Sequence, residues 1–480
     1  MRTGRMKNHR HSNEFKITRV KITRVKLTNN AKLFKIFKDV PSIKQLTFIR
    51  QEGGEMALRL CNPLKWFFIF LLFIPFVAQA QSEKPALNLR QLLEEGLQHN
   101  PEILAARQKG EVYKQRVPQA GALEDPMIGV GVANLPTNFS FRDEDMTMKE
   151  FAISQKIPFP GKRSLMKGMA VKEAEAVSLE IEETTQRIVK EIKIAYYDLS
   201  HIYRATEVTQ RNKEILEDFT RITETRYSVG EGIQLDLLKA HVEVSKMLDE
   251  LIMLKQKGKA LEARLKALLH RPAETIMGSP EEVQFRKFPF SPEALYTMAL
   301  ESNPALQAMK KMIEVKEKAH TLAKWEYLPD FNFKIAYGQR DNSPEMRRRD
   351  MLSGMVEINV PLYFFWKQSR KVGEARAEVL SIEAQYQAMR NEIQFMVTDM
   401  TAMVERGERQ LELYKTGIIP QVSLQINSAM SAYRVNKADF LTLLDSQMTL
   451  YKYELEYHQA LTDYEKNIAT LEAVVGKQLF

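Results

Sequence analysis

The sequence predicts a mainly α-helical fold with a small β part: long coiled-coil hairpins accompanied by four short strands. Three observations lead there. One order of elements recurs at a constant offset. Stretches of helical periodicity run for tens of residues without proline or glycine. Four short segments alternate apolar with polar or small side chains.

The duplication fixes the organisation. Asn100-Pro101 recurs as Asn303-Pro304, an offset of 203 that also relates Leu97 to Leu300, Pro126 to Pro329 and Pro158 to Pro361. Further on the offset becomes 206, relating Tyr227 to Tyr433, Leu237-Leu238 to Leu443-Leu444, and Leu265 to Leu471. Two long constant offsets do not arise by chance. The body is therefore two structural repeats, 87–280 and 290–480, linked by the proline-containing segment 285–291.

Each repeat reads alike. A short helix over 88–100 stops at Asn-Pro, and Pro101 opens a second helix to about 121, because proline suits a first helical turn. The counterparts lie at 292–302 and 304–326. A strand follows, with Ile128, Val130 and Val132 in phase with Phe331, Phe333 and Ile335. After a polar loop (134–146; 338–352) a second strand returns. Phe151 and Ile153 alternate with Ala152 and Ser154, and Val356, Ile358 and Val360 alternate with Glu357 and Asn359.

Beyond Pro158-Phe-Pro-Gly161 a very long helix begins. Ile188, Ile192, Ala195, Leu199 and Ile202 repeat at four and three, a coiled-coil seam. It ends at Gly230-Glu-Gly232, and a returning helix spans about 235–269. The second repeat places its hairpin at about 370–435 and 440–475, with a kink expected at Pro420.

The charge balance belongs to two different parts. The chain carries 70 Lys+Arg and 61 Asp+Glu, net +9. Residues 1–55 hold 14 basic and 4 acidic residues, and 56–80 add Arg59 and Lys65, leaving 54 basic against 57 acidic in 81–480. The basicity is thus no property of the body, and nucleic acid is not expected as a partner. Residues 56–80 read as a signal peptide: Arg59 and Lys65, then the apolar run WFFIFLLFIPFV, then Ala78-Gln79-Ala80. That run is too short for the ~20 residues of a spanning helix. Residues 1–55, with the tandem ITRVK repeat, read as an extension upstream of the true start at Met56. The only cysteine, Cys61, precedes the apolar run, so the exported chain would have no disulfide.

The strands have the length of tilted membrane-spanning strands, with one apolar face and one bearing Asn332, Lys334, Glu357 and Asn359. Four strands cannot close a barrel, and open edges are not tolerated in lipid. Several copies contributing four strands each could close one.

This plan resembles the TolC-like outer-membrane factors of Gram-negative efflux systems. Local sequences carry the resemblance across 87–480: Gln155-Lys-Ile-Pro-Phe-Pro-Gly-Lys-Arg163, Tyr227-Ser-Val-Gly-Glu-Gly-Ile-Gln-Leu-Asp-Leu-Leu-Lys-Ala240, and Tyr433-Arg-Val-Asn-Lys-Ala-Asp-Phe-Leu-Thr-Leu-Leu-Asp445. The resemblance implies a homotrimeric α/β-barrel tunnel with a 12-stranded barrel in outer-membrane lipid and a long periplasmic portion. It also implies passive conduction, with a periplasmic adaptor protein and an inner-membrane efflux pump as partners. The adaptor-docking tips would be Tyr227, Val229, Gly230 and Glu231 in the first hairpin and Val435, Asn436 and Lys437 in the second. Asn436 stands where the family has glycine, and asparagine tolerates the left-handed conformation, so the turn survives. Tyr433 and Asp445 match positions of the periplasmic gate, where three copies of Asp445 would form an acidic ring. Thr442 and Ala438 depart from the gate pattern, leaving Asp439 and Lys437 as substitutes by spacing.

Enzymatic chemistry finds no support. No Ser/His/Asp set, phosphate loop or zinc motif occurs, and no cofactor is expected. Thioethers can bind Cu(I) or Ag(I), and Met396, Met400 and Met403 share a helix face, as Met146 and Met148 share a strand face. Methionine at such spacing reads as packing, so no metal is assigned. A periplasmic adaptor has one hairpin flanked by larger β-domains, and a secreted coiled-coil scaffold has no use for amphipathic strands. Both rank below the channel.

Overall fold

The computed structural model describes residues 86–480. The extension, the signal peptide and Cys61 lie outside them. The element order is α1 (Leu89–His99), α2 (Pro101–Ala120), β1 (Met127–Ala133), β2 (Met148–Ile157), α3 (Lys162–Ser228) and α4 (Gln234–Leu268). It then repeats as α5 (Pro292–Ser302), α6 (Pro304–Trp325), β3 (Asp330–Gln339), β4 (Met351–Asn359), α7 (Gln368–Glu412), α8 (Ile419–Arg434) and α9 (Phe440–Val475). The mainly α fold with a small β part is as expected.

The recurring Asn-Pro has a structural reason beyond stopping a helix. Asn100 ends α1 and caps α2, its side-chain oxygen accepting from the backbone N–H of Glu102 (2.9 Å) and Ile103 (3.3 Å). Its amide donates to the Leu268 carbonyl at the end of α4 (2.8 Å). Asn303 does the same, accepting from Leu306 N–H and donating to the Val474 carbonyl, each at 2.8 Å. Each buried asparagine thus ties the start of its repeat to the end of its long hairpin. Cap and buried bond together contribute about 2 kcal/mol.

The α3 helix has 67 residues, about 100 Å at 1.5 Å per residue. The expected seam is its core: Ile188, Ile192, Ala195, Leu199 and Ile202 are all buried. Each large side chain there stabilises the fold by roughly 1.5–3 kcal/mol. Around α3 pack α2, α4, α6 and α9, so one helix joins both repeats. A buried ion pair, Lys193 with Glu472, crosses that junction.

The interruption expected at Pro420 lies just upstream of it. Residues Leu413–Ile418 form a π turn, and Pro420 sits in the first turn of α8. Proline lacks the N–H of the α ladder and its ring crowds the preceding turn. The wider π turn accommodates both.

The four strands form one antiparallel sheet in the order β1-β2-β3-β4. The rungs Ile128–Ile153–Ile335 and Val130–Phe151–Tyr337–Leu352 place their side chains together, as do Phe333–Val356 and Phe331–Ile358. All the β-branched, leucine and aromatic strand residues therefore share one face, together with Lys149 and Gln155, while Met127, Met351 and Met355 lie on the other. The apolar face is bare: Ile128 is 79% exposed and Val130 74%. Glu150, Ser154, Asn332, Lys334, Ser353 and Glu357 occupy the other, where Lys334 pairs with Glu150 (3.0 Å) and Asn332 donates to Glu357 (2.7 Å). Among the described residues the outer edges of β1 and β4 are unpaired. The loops at the far end are pinned together by Arg348, which pairs with Asp145 (2.6 Å) and donates to the carbonyl of Arg142 (3.0 Å). Among the described residues no helix is long and apolar enough to cross a membrane.

Candidate functional site

The long hairpins turn at the end of the molecule remote from the sheet, and both turns are built alike. Where α3 ends, Glu231 N–H bonds back to the Arg226 carbonyl (2.9 Å) and Gly230 N–H to that of Tyr227 (3.1 Å). Where α8 ends, Lys437 N–H bonds to Ala432 (2.8 Å) and Asn436 N–H to Tyr433 (3.2 Å). This paired closure requires a left-handed residue just past the helix. Gly230 supplies it at φ +79° and Asn436 at φ +56°. A Cβ on Gly230 would meet nothing within 4 Å, so the glycine leaves an open surface at the tip. Val229 and Val435 stand exposed beside it. At the equivalent position after each left-handed residue the charge inverts, Glu231 against Lys437. The two tips therefore share a backbone but offer different surfaces.

Tyr433 is not at the surface. It is buried in an apolar cluster with Leu216, Phe219, Ala429, Phe440 and Leu443, between the two hairpins. Burial pushes its hydroxyl above the ordinary tyrosine range. The Arg226 guanidinium lies over its ring, 4.4 Å from the centroid, and donates to the Arg434 carbonyl (3.4 Å). Arg226 thus couples the end of α3 to the end of α8. Asp236, in the first turn of α4, has its carboxyl pushed up, first by burial and then by the charge of Asp439.

Asp439 has a structural task. It caps α9, its carboxylate accepting from Thr442 N–H at 2.9 Å. The Thr442 hydroxyl first, and then this N–H, hold its carboxyl below the usual range. Asp445 is not part of that apolar cluster. It is exposed and lines a groove of 590 Å³ between α4 and α9, with Leu235, Leu238, Lys239 and Leu441. The structure therefore gathers Arg226, Tyr433, Asp236 and Asp439, and places Asp445 in the groove between α4 and α9.

Arg226 and Asp236 were not singled out from sequence. The 206 offset carried a signal for one of them: Asp236 is the counterpart of Thr442, so the carboxylate missing from the second hairpin stands in the first. By the same offset Lys239 is the counterpart of Asp445, and both line one groove. Nothing local marks Arg226, whose partner is distant in sequence. Among the described residues no group of three or more His, Cys, Asp or Glu is placed to hold a metal ion.

Known proteins share this fold. The solved structures of CusC superpose with a TM-score of 0.71 at 14% identity, covering 83% of this chain and 94% of theirs. Vibrio cholerae VceC, an outer membrane protein, gives 0.70 at 17% identity, covering 82% and 97%. At such identities these likenesses establish the fold. The outer membrane efflux protein BepC of Brucella suis is 19% identical over 271 residues, 56% of this chain and 59% of the relative. The family profile described as outer membrane efflux protein matches residues 92–270 and 295–477, one match in each repeat and together well over half of the chain. With the fold, the duplicated hairpins and both profile matches in agreement, this chain belongs to the outer membrane efflux protein family.

Proposed function

We propose that the protein is one of three identical subunits of an outer-membrane channel, passively conducting substrates delivered by an inner-membrane pump through a periplasmic adaptor. One observation carries this reading. The strand register gathers every β-branched, leucine and aromatic strand residue on one face of a sheet, that face is bare, and among the described residues the two edges of the sheet are unpaired. Lipid demands that backbone groups be satisfied, so such a sheet must be closed by further copies. Three copies give 12 strands, an even number within the range of known barrels. The apolar face then meets lipid, and Glu150, Lys334, Asn332 and Glu357 line a wet lumen. A row of exposed apolar residues on α4 (Leu235, Leu238, Val242, Ile252) suits burial against the neighbouring copy's helices.

In this reading the tips at Val229–Gly230–Glu231 and Val435–Asn436–Lys437 receive the adaptor, whose helices can approach closely over the bare Gly230. The gate includes Tyr433, held by Arg226, with Asp236 and Asp439 beside it. Three Asp445 carboxylates favour cations at the narrow end. The family matches are to channels, which act without chemistry on the cargo.

The test is fractionation followed by electrophysiology. Heat-modifiable trimers in the outer membrane, giving discrete conductance in planar bilayers, support the proposal. A soluble periplasmic monomer rejects it. Asp445→Ala should raise conductance or weaken block by multivalent cations; an unchanged trace removes Asp445 from the gate.

A further inference from the structure

The two repeats differ most where each second strand passes into its long helix. In the first repeat three residues, Phe159-Pro160-Gly161, separate Pro158 from the first residue of α3. In the second, six residues, Leu362-Tyr363-Phe364-Phe365-Trp366-Lys367, separate Pro361 from the first residue of α7. The extra three residues account for the change of offset from 203 to 206. The duplication itself thus marks this turn as the insertion.

The two turns also pack differently. Phe159 is half-buried, edge-on to Trp325 (6.3 Å between centroids) and stacked on Phe331 (6.5 Å). Gly161 lets the Trp325 ring lie against the backbone: an added Cβ would fall 2.1 Å from that ring. Nothing comparable covers the inserted turn. Leu362, Tyr363, Phe365 and Trp366 are all more than 70% exposed. Only Phe364 leans inward, 6.4 Å from Tyr327.

We infer that this inserted turn is an interfacial anchor, sinking its aromatic side chains into the membrane leaflet on the helical side of the barrel. The inference rests on the channel reading above. Three features select a phospholipid surface as the occupant. The turn is continuous with the lipid-facing side of β4, whose last apolar rung is Phe331–Ile358. Its backbone is folded back on itself, Leu362 N–H to Val360, Trp366 and Lys367 N–H to Tyr363, and Ser369 N–H to Phe364, which lowers the cost of entering the interfacial layer, where the remaining N–H groups still meet water and headgroups. Lys367 and Arg370 follow directly, and among the described residues neither is in an ion pair, which suits anionic headgroups. Aromatic rings with a polar edge favour this depth, with basic side chains reaching the phosphates. Because only the second repeat carries the insertion, a trimer would have three such anchors, alternating with three packed turns.

The test uses the full protein in vesicles of phosphatidylethanolamine and phosphatidylglycerol doped with brominated phosphatidylcholine. Trp366 emission is obtained by subtracting the Trp366→Phe variant, which leaves Trp325 in place. Bromine near the headgroup should remove most of the Trp366 intensity; bromine near the bilayer centre should remove much less. A Val356→Trp, Trp366→Phe reporter on the strand face monitors the barrel independently. Quenching of that reporter without quenching of Trp366 overturns the anchor and leaves the channel reading intact. Trp366 shielded from both bromine and aqueous acrylamide means burial against a neighbouring copy, which also overturns it. If neither site is quenched, the channel reading itself fails.

Discussion

Removing the Arg226 side chain should release the two hairpins from one another at the tip. The guanidinium stands 4.4 Å from the centre of the Tyr433 ring, and that ring is buried. A cation over an aromatic face contributes about 0.5–1 kcal/mol when exposed and about 2 when desolvated. Arg226 is half-exposed, so about 1 kcal/mol is appropriate. Its 3.4 Å bond to the Arg434 carbonyl is long and adds about 0.5 kcal/mol. The total is about 1.5 kcal/mol per subunit, roughly a tenfold shift toward separated hairpins. If three subunits open together, the sum approaches about 4–5 kcal/mol, or roughly a thousandfold. Single-channel recording of Arg226→Ala measures the open fraction directly. Tyr433→Leu keeps the core filled while removing the ring, and the double variant completes a cycle. The two single effects should be strongly non-additive. Strict additivity, or an open fraction unchanged in Arg226→Ala, would refute the latch.

Further expectations follow from the sheet, the turn and the junction of the repeats. Val356→Arg places a charge on the apolar face at a cost of about 2–4 kcal/mol near the bilayer midplane, whereas Ser353→Arg points to the opposite face; the first should abolish heat-modifiable trimers and the second retain them, and equal behaviour would reject the face assignment. Asn436→Ala should cost about 1 kcal/mol, because alanine keeps the Cβ at φ +56° without the short polar side chain that makes this conformation tolerable, while Asn436→Gly removes the Cβ and should not; amide exchange at the second tip should quicken only for alanine. Burial holds the imidazoles of His201 and His458 below their ordinary range, with Asp463, Asp198, Lys466 and Lys257 facing the first and Arg204, His201, Glu207 and Glu282 the second. Both stay neutral more readily when folded than when unfolded, so the stability they permit is present above the ordinary pKa and lost as pH falls through about 6.5. His201→Gln with His458→Gln should flatten the decline in melting temperature between about pH 7 and about pH 5; an unchanged slope assigns the decline to other groups.

Much of the fold was legible because its signals are local. The seam from Ile188 to Ile202 shows its period in one stretch of chain, and alternation at Phe331, Phe333 and Ile335 identifies a strand face without knowledge of its neighbours. Asn436 could be assigned a left-handed conformation because its side chain tolerates one. The site was legible only in outline. Asp439 is a gate substitute by spacing, and its role as the cap of α9 is visible only in the structure, as is the groove that Asp445 lines between α4 and α9. Both facts depend on how α4 and α9 approach each other, which no local pattern encodes.

By itself, then, the sequence determined the element order, the duplication, the amphipathic strands and the left-handed turns, all products of backbone sterics and short-range periodicity. The tertiary structure decided which distant groups meet. It set Arg226 over Tyr433, brought the charge of Asp439 to bear on Asp236, and closed each Asn-Pro corner onto a carbonyl at the end of its own hairpin. It also left the inserted aromatic turn bare while covering its counterpart with Trp325. These outcomes depend on the packing of long helices whose contacting residues lie far apart in sequence, and a rotation of one helix about its axis would change every one of them.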